Sequence, residues 1–149
     1  MKEEPDSPAE LRARALRLLA RREHSRLELG RKLSPHAQSA DALDVLLVDL
    51  EKRKQLSDER FASERARSMS RKYGAARIRQ DLKARGVDAE IIGRVSAEGE
   101  LERARSILQR KYRGPAATRE ERAKRMRFLQ GRGFELDVIM KVINNRDET

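Results

Sequence analysis

The side chains of this 149-residue sequence that could act as nucleophiles, bases or metal ligands are few. Ser25 follows His24 directly, but its spacing to Glu28 is that of a helix cap and its partner three residues on. No general base is placed for it by sequence. His24 itself reads as a packing or capping residue at a helix boundary. His36 follows a proline and has no second His or carboxylate at ligand spacing. Asp41, Asp44 and Asp49, like Glu98, Glu100 and Glu102, read as polar helix faces, not as acid–base pairs or a cation site. The absence of Cys excludes disulfides, thiolate-ligated zinc, iron–sulfur clusters and a thiol nucleophile. No Gly-rich loop runs into Lys-Ser or Lys-Thr, and no dinucleotide fingerprint is present. The expectation is no catalysis, no cofactor and no metal.

What remains is charge. Lys and Arg total 35 against 25 Asp and Glu, a formal charge of +10. It is placed unevenly: residues 52–86 sum to +8 and residues 103–132 to +9, while 1–51, 87–102 and 133–149 sum to −1, −4 and −2. Arg71 and Lys72 end one helical segment, and Arg110, Lys111 and Arg113 repeat that placement. On the segment 75–85, Ile78 and Leu82 point inward by the 100° helical step, leaving Arg77, Arg79 and Lys83 outward or flanking. Arg119, Arg122, Lys124, Arg125 and Arg127 extend the basic set. Pairing with Glu59, Glu64, Asp81 and Glu121 at i,i+4 contributes only ~0–1 kcal/mol per pair, so it would not stop a polyanion from competing. These thirteen residues are the expected binding surface for phosphate or carboxylate groups. With five aromatics and no Trp, a base-stacking platform is not expected.

The elements that must carry these cations are helices. Ser7-Pro8-Ala9-Glu10, Ser25 to Glu28 and Thr118 to Glu121 read as capping boxes. Apolar stripes recur at Leu11, Ala15, Leu18 and Leu19; at Leu29 and Leu33; and at Leu43, Leu46, Leu47 and Leu50. Further on they are Ala62, Ala66 and Met69 beside Phe61; Ile78 and Leu82; Ile91, Ile92 and Val95; Leu101, Ala104, Ile107 and Leu108; Ala123, Met126 and Leu129; and Leu136, Ile139, Met140 and Ile143. Phe61 is expected as a core anchor, Asp58 as a helix-start residue, and Gly86 as a left-handed residue after a helix end. No stretch alternates with period two. The longest apolar run, Val45 to Val48, is far short of the ~20 residues that cross a bilayer. The first residues are acidic and polar, unlike a signal peptide.

The sequence also repeats itself. Arg65-Ala66-Arg67-Ser68 returns as Arg103-Ala104-Arg105-Ser106, and Arg71-Lys72-Tyr73 as Arg110-Lys111-Tyr112. Arg85-Gly86-Val87 returns as Arg132-Gly133-Phe134, and Ile91-Ile92 with Val95 as Val138-Ile139 with Val142. The offset grows from 38 to 47 across an insertion near Gly114 to Thr118. A fainter first copy aligns His24-Ser25, Leu29 and Leu33 with Tyr73-Gly74, Ile78 and Leu82 at an offset of 49. A three-helix unit of this size buries little surface alone, so neighbours must share cores. The reading is all-α, an elongated tandem array of three three-helix repeats. Residues 1–9 form a flexible tail, 10–54 repeat 1, 55–98 repeat 2, and 99–149 repeat 3 with a short C-terminal tail.

Three stretches in this order resemble the RecX family of bacterial recombination regulators: Arg21 to Leu29, Leu56 to Ala62, and Gly74 to Leu82 with Lys83 to Val87 following. The resemblance runs from about Ala15 to Val142. It implies tandem three-helix repeats and a cytoplasmic protein, acting in DNA repair, recombination and the SOS response. It further implies a partner, the RecA recombinase filament, whose growth, ATP hydrolysis and strand exchange such a protein suppresses from the filament groove. Direct, non-specific binding of single- or double-stranded DNA is the alternative reading of the basic surface. A monomer is expected, with no membrane partner.

Overall fold

The computed structural model describes residues 4–144, and helices are the only regular structure among them. They are α1 (Pro8–Arg21), α2 (Arg26–Leu33), α3 (Ala40–Lys52), α4 (Asp58–Met69), α5 (Ala75–Ala84), α6 (Ala89–Ile92), α7 (Glu100–Lys111), α8 (Arg119–Gly131) and α9 (Leu136–Asn144), with a 3-10 turn at Ser34–His36. Reciprocal capping boxes start α1 and α2. Thr118 also caps α8, but Glu121 returns its carboxylate to the amide of Ala117, one residue before the expected partner. Pro8 and Ala9 of the expected tail lie within α1. Asp6 is tied down as well: it accepts from Arg14 at 2.8 Å, and its amide donates to the His36 carbonyl at 2.8 Å. Residues 1–3 and the short tail 145–149 lie outside the described residues.

Packing divides the chain into two compact units. Unit 1 comprises residues 1–64 and 82–92, and unit 2 comprises residues 65–81 and 93–149, so α4 and α5 contribute to both. The core of unit 1 gathers Leu11, Ala15, Leu29, Leu33, Leu46, Leu47, Leu50 and Leu56. That of unit 2 gathers Ala104, Ile107, Leu108, Leu129, Phe134, Ile139, Val142 and Ile143. Phe61 is buried as expected. On α9 the buried face is Ile139, Val142 and Ile143, whereas Leu136 and Met140, read as part of its stripe, are exposed. Leu136 is the first residue of the helix, and Met140 falls one 100° step off the buried face.

The same junction occurs once in each unit. In unit 1 the start of α2 meets two groups from later in the chain. Asp58 accepts from the amide of Arg26 at 2.8 Å, and the Ser25 hydroxyl donates to the Arg85 carbonyl at 2.7 Å. In unit 2 the start of α5 is held alike. Glu100 accepts from the amide of Ala75, and the amide of Gly74 donates to the Arg132 carbonyl at 2.8 Å. The carbonyls of Arg85 and Arg132 each precede a glycine in the left-handed region, Gly86 at φ 81° and Gly133 at φ 91°. Both glycines close the same cap: Val87 donates to Leu82 and Gly86 to Lys83, then Phe134 to Leu129 and Gly133 to Gln130. Repeat partners in sequence are therefore partners in geometry.

The junction also explains why these glycines must lack a side chain. A Cβ on Gly133 would sit 2.7 Å from the Arg77 amide nitrogen, and one on Gly86 would sit 2.6 Å from the Leu27 Cβ. Gly133→Ala is expected to destabilise the protein by about 2–4 kcal/mol, from left-handed strain plus a backbone clash. Gly114→Ala shares the left-handed strain (φ 68°) but meets nothing within 4 Å, so it should cost only about 1–2 kcal/mol. Urea unfolding midpoints measure both. Equal losses would mean that close approach at the junction carries no weight.

Candidate functional site

The two units differ in charge. Unit 1 has 15 Lys and Arg against 15 Asp and Glu, and unit 2 has 20 against 10. The whole formal charge of +10 therefore belongs to unit 2. Seven of the ten arginines of unit 1 are engaged in ion pairs. Arg12 and Arg53 meet Asp49, Arg14 meets Asp6, Arg22 and Arg85 meet Glu28, Arg26 meets Asp44 and Glu51, and Arg60 meets Glu23. Unit 2 pairs Arg65 with Asp81 at 2.9 Å and, at 3.6 Å, Arg103 with Glu100.

The excess charge gathers around the unit 2 junction. An open groove of about 570 Å³ is lined by Arg71, Lys72, Arg110, Lys111 and Arg132, with Tyr73, Ile107 and Phe128 as its apolar wall. No carboxylate lines it; Glu102 lies in an adjoining recess with Arg71, Arg103 and Arg110. The cations are held by aromatic faces and carbonyls. The Arg77 guanidinium lies 4.2 Å from the Tyr73 ring centre. Arg132 lies 5.6 Å from Tyr73 and 5.1 Å from Phe128. Lys111 sits 4.5 Å from Phe128, which meets Tyr112 edge to face at 5.8 Å. Arg110 donates to the Arg71 carbonyl at 2.9 Å, and Arg77 to the Gly131 carbonyl at 2.7 Å. Each cation–ring contact is worth about 0.5–1 kcal/mol at an exposed site, so the rings position side chains that would otherwise repel one another.

Of the thirteen basic residues expected from sequence, the groove thus brings together Arg71, Lys72, Arg110 and Lys111. Arg77 borders it through Tyr73. Arg79 is half-buried and donates to the Val95 carbonyl at 3.0 Å. Lys83 is exposed and belongs to unit 1. Arg113, Arg119, Arg122, Lys124 and Arg127 are exposed outside the groove lining, with Arg122 donating to Asn144 at 2.9 Å. Arg125 points inward instead: it is buried, donates to the Gly114 carbonyl at 2.8 Å and stacks at 4.9 Å on Tyr112. Arg132, Tyr73 and Phe128 were absent from the expected site. Glu100, read as part of a polar face, is buried as the cap of α5.

The unit 1 junction shows what the charge replaces. At the repeat offset, His24 stands for Tyr73, Glu28 for Arg77 and Arg85 for Arg132. Burial pushes the Glu28 carboxyl up, but hydrogen bonds from Arg22, the Ser25 amide and Arg85 outweigh it and hold it below the ordinary value. His24 is buried; its Nδ1 lies 3.1 Å from the Arg22 carbonyl and its Nε2 2.9 Å from the Lys32 ammonium. Lysine has only donors, so Nε2 accepts, Nδ1 carries the proton, and the ring is neutral. Burial is the main cause that lowers its pKa. The bond to the Arg22 carbonyl and the charge of Glu28 oppose this, and the charges of Arg22 and Lys32 reinforce it.

Known proteins share this architecture. The family description "RecX, second three-helix domain" matches residues 57–95, and "RecX, third three-helix domain" matches residues 98–143. The regulatory protein RecX of Herbaspirillum seropedicae is 47% identical over 133 residues, covering 87% of this chain and 86% of that protein. That of Ralstonia pickettii is 42% identical over 147 residues, covering 97% and 92%. The crystal structure of RecX from Lactobacillus salivarius superposes with a TM-score of 0.82 at 20% identity, covering 95% and 97%. A second crystal structure, of a regulatory protein RecX, gives 0.75 at 21%, covering 93% and 73%. At these identities the solved structures speak to the fold, a tandem array of helical repeats.

A pH dependence follows from His24. The unfolded ring takes up a proton near pH 6.5 and the folded ring only at lower pH. The stability it contributes is therefore complete above pH 6.5 and is lost as pH falls from there through the folded-state value. Asp6, Asp49 and Glu28, also lowered, lose their contributions only at more acidic pH. Between pH 7.5 and 5.5 the urea midpoint of the wild type should fall further than that of His24→Gln. Parallel curves would remove His24 as the titrating group.

Proposed function

The chain belongs to the RecX family, and on that premise we propose that it is a negative modulator of the RecA recombinase. It lies in the groove of the RecA–DNA filament and inhibits filament growth, ATP hydrolysis and strand exchange. The observation that carries this reading is the confinement of the net charge to unit 2, where basic side chains line an open groove. A long polyanionic partner fits such a surface, since guanidinium forks and ammonium groups meet carboxylates and phosphates alike. Repeated modules spread many weak contacts along a periodic filament, so avidity supplies affinity without a deep pocket. Occupying the groove blocks subunit rearrangement and needs no chemistry on this chain, which acts as a cytoplasmic monomer and not as an enzyme.

The test is DNA-dependent ATP hydrolysis by RecA at physiological salt, with DNA in large excess over both proteins. Inhibition is expected at concentrations of this protein well below that of the recombinase. An unchanged rate, or inhibition that vanishes once DNA is in excess, would leave only a non-specific nucleic-acid binder.

A further inference from the structure

We infer that the unit 2 groove is a binding site for a run of closely spaced phosphates, gripped by Arg71, Lys72, Arg110, Lys111 and Arg132. The inference deepens the polyanion reading above by assigning the chemistry of one site. Three features carry it. Five cations converge on one groove whose lining holds no carboxylate. Two of them, Arg71 and Lys72, lie in the turn after α4 as exposed side chains with no ion-pair partner among the described residues. The other three are fixed in place, Arg110 by the Arg71 carbonyl and Lys111 and Arg132 by ring faces. Positive charge already held in position loses little freedom when an anion arrives.

The same contacts decide against base stacking. A ring that stacks a nucleobase must present a free face. Tyr73 carries Arg77 and Arg132, and Phe128 carries Lys111 and Arg132. The groove therefore reads phosphates and not bases. This chemistry is offered both by a nucleic-acid backbone and by a free polyphosphate chain.

The experiment uses the full chain and two double variants with equal charge change: Arg71→Glu with Lys72→Glu in the groove, and Arg17→Glu with Arg31→Glu on unit 1. All four residues are exposed, so folding should survive, which circular dichroism verifies. Binding of a fluorescent 12-nucleotide dT strand and of inorganic tripolyphosphate is measured without recombinase. The groove variant should bind the strand at least ~10-fold more weakly, its salt slope reduced by roughly 1.4 for two lost phosphate contacts. The unit 1 variant should stay within about twofold at moderate salt. Tripolyphosphate binding that the groove variant alone loses assigns the site to any phosphate run; strand binding without it assigns the site to the backbone. Equal weakening in both variants, or a ~10-fold preference of the wild type between dT and dA strands, would overturn the inference. A groove variant that loses phosphate yet still inhibits RecA leaves the regulatory reading standing on another surface. A wild type that binds phosphate but never inhibits sinks only that reading.

Discussion

The hydrogen bond that ends at the carbonyl before Gly86, and again at the carbonyl before Gly133, is the constraint on which this fold rests. A helix leaves amides unsatisfied at its start and carbonyls at its end, and a small helical repeat has many such ends for its size. Here the ends answer one another. The start of α2 or α5 takes a carboxylate on its first free amide, from Asp58 or Glu100, and gives a hydrogen bond to the end of another helix. Each cap needs a left-handed residue, and close approach forbids it a side chain. In a chain with a thin apolar core, this mutual satisfaction of polar ends fixes how one repeat meets the next.

Because the junction is made largely by main-chain groups, the side chains around it are free to vary. In unit 1 they form an ion-paired set, with the Glu28 carboxylate between Arg22 and Arg85 beside an uncharged His24. In unit 2 the same positions hold Arg77, Arg132 and Tyr73. An ion pair has become two guanidinium groups over one ring. The tyrosine in place of histidine makes that tolerable, since its face supplies the negative potential that Glu28 supplies in the other copy.

Much of this was legible in the sequence. The caps, the stripes and the repeat correspondences are local patterns; Gly86 reads as a left-handed cap, and the repeat sets Gly133 opposite it, where the structure also shows a positive φ. Arg125 and Glu100 differ from the outward reading because of their helical phase. Arg125 lies four residues before Leu129 and so shares the buried face of α8. Glu100 lies four before Ala104 and seven before Ile107, on the buried face of α7. A charged residue on an apolar stripe signals a partner in the interior, a carbonyl for Arg125 and a helix start for Glu100. Arg132 was visible as a member of the repeat, but its place in the groove depends on bringing Lys72 and Phe128 together, which no local spacing encodes.

The neutral unit bears on the meaning of the basic one. Ten uncompensated positive charges on half a small protein repel one another, and that repulsion destabilises the compact state. Unit 1 builds the same junction while its charges balance over the unit, so the fold itself does not require the excess. Nor is the excess spread as helix-stabilising pairs: in unit 2 five cations face one another across a groove without a carboxylate in its lining. Charge that folding does not need, and that side-chain contacts hold in one place, is stabilised when a partner supplies the missing anions. On the proposed reading, binding and stability are linked, and a partner that relieves the repulsion is the one such a surface would select.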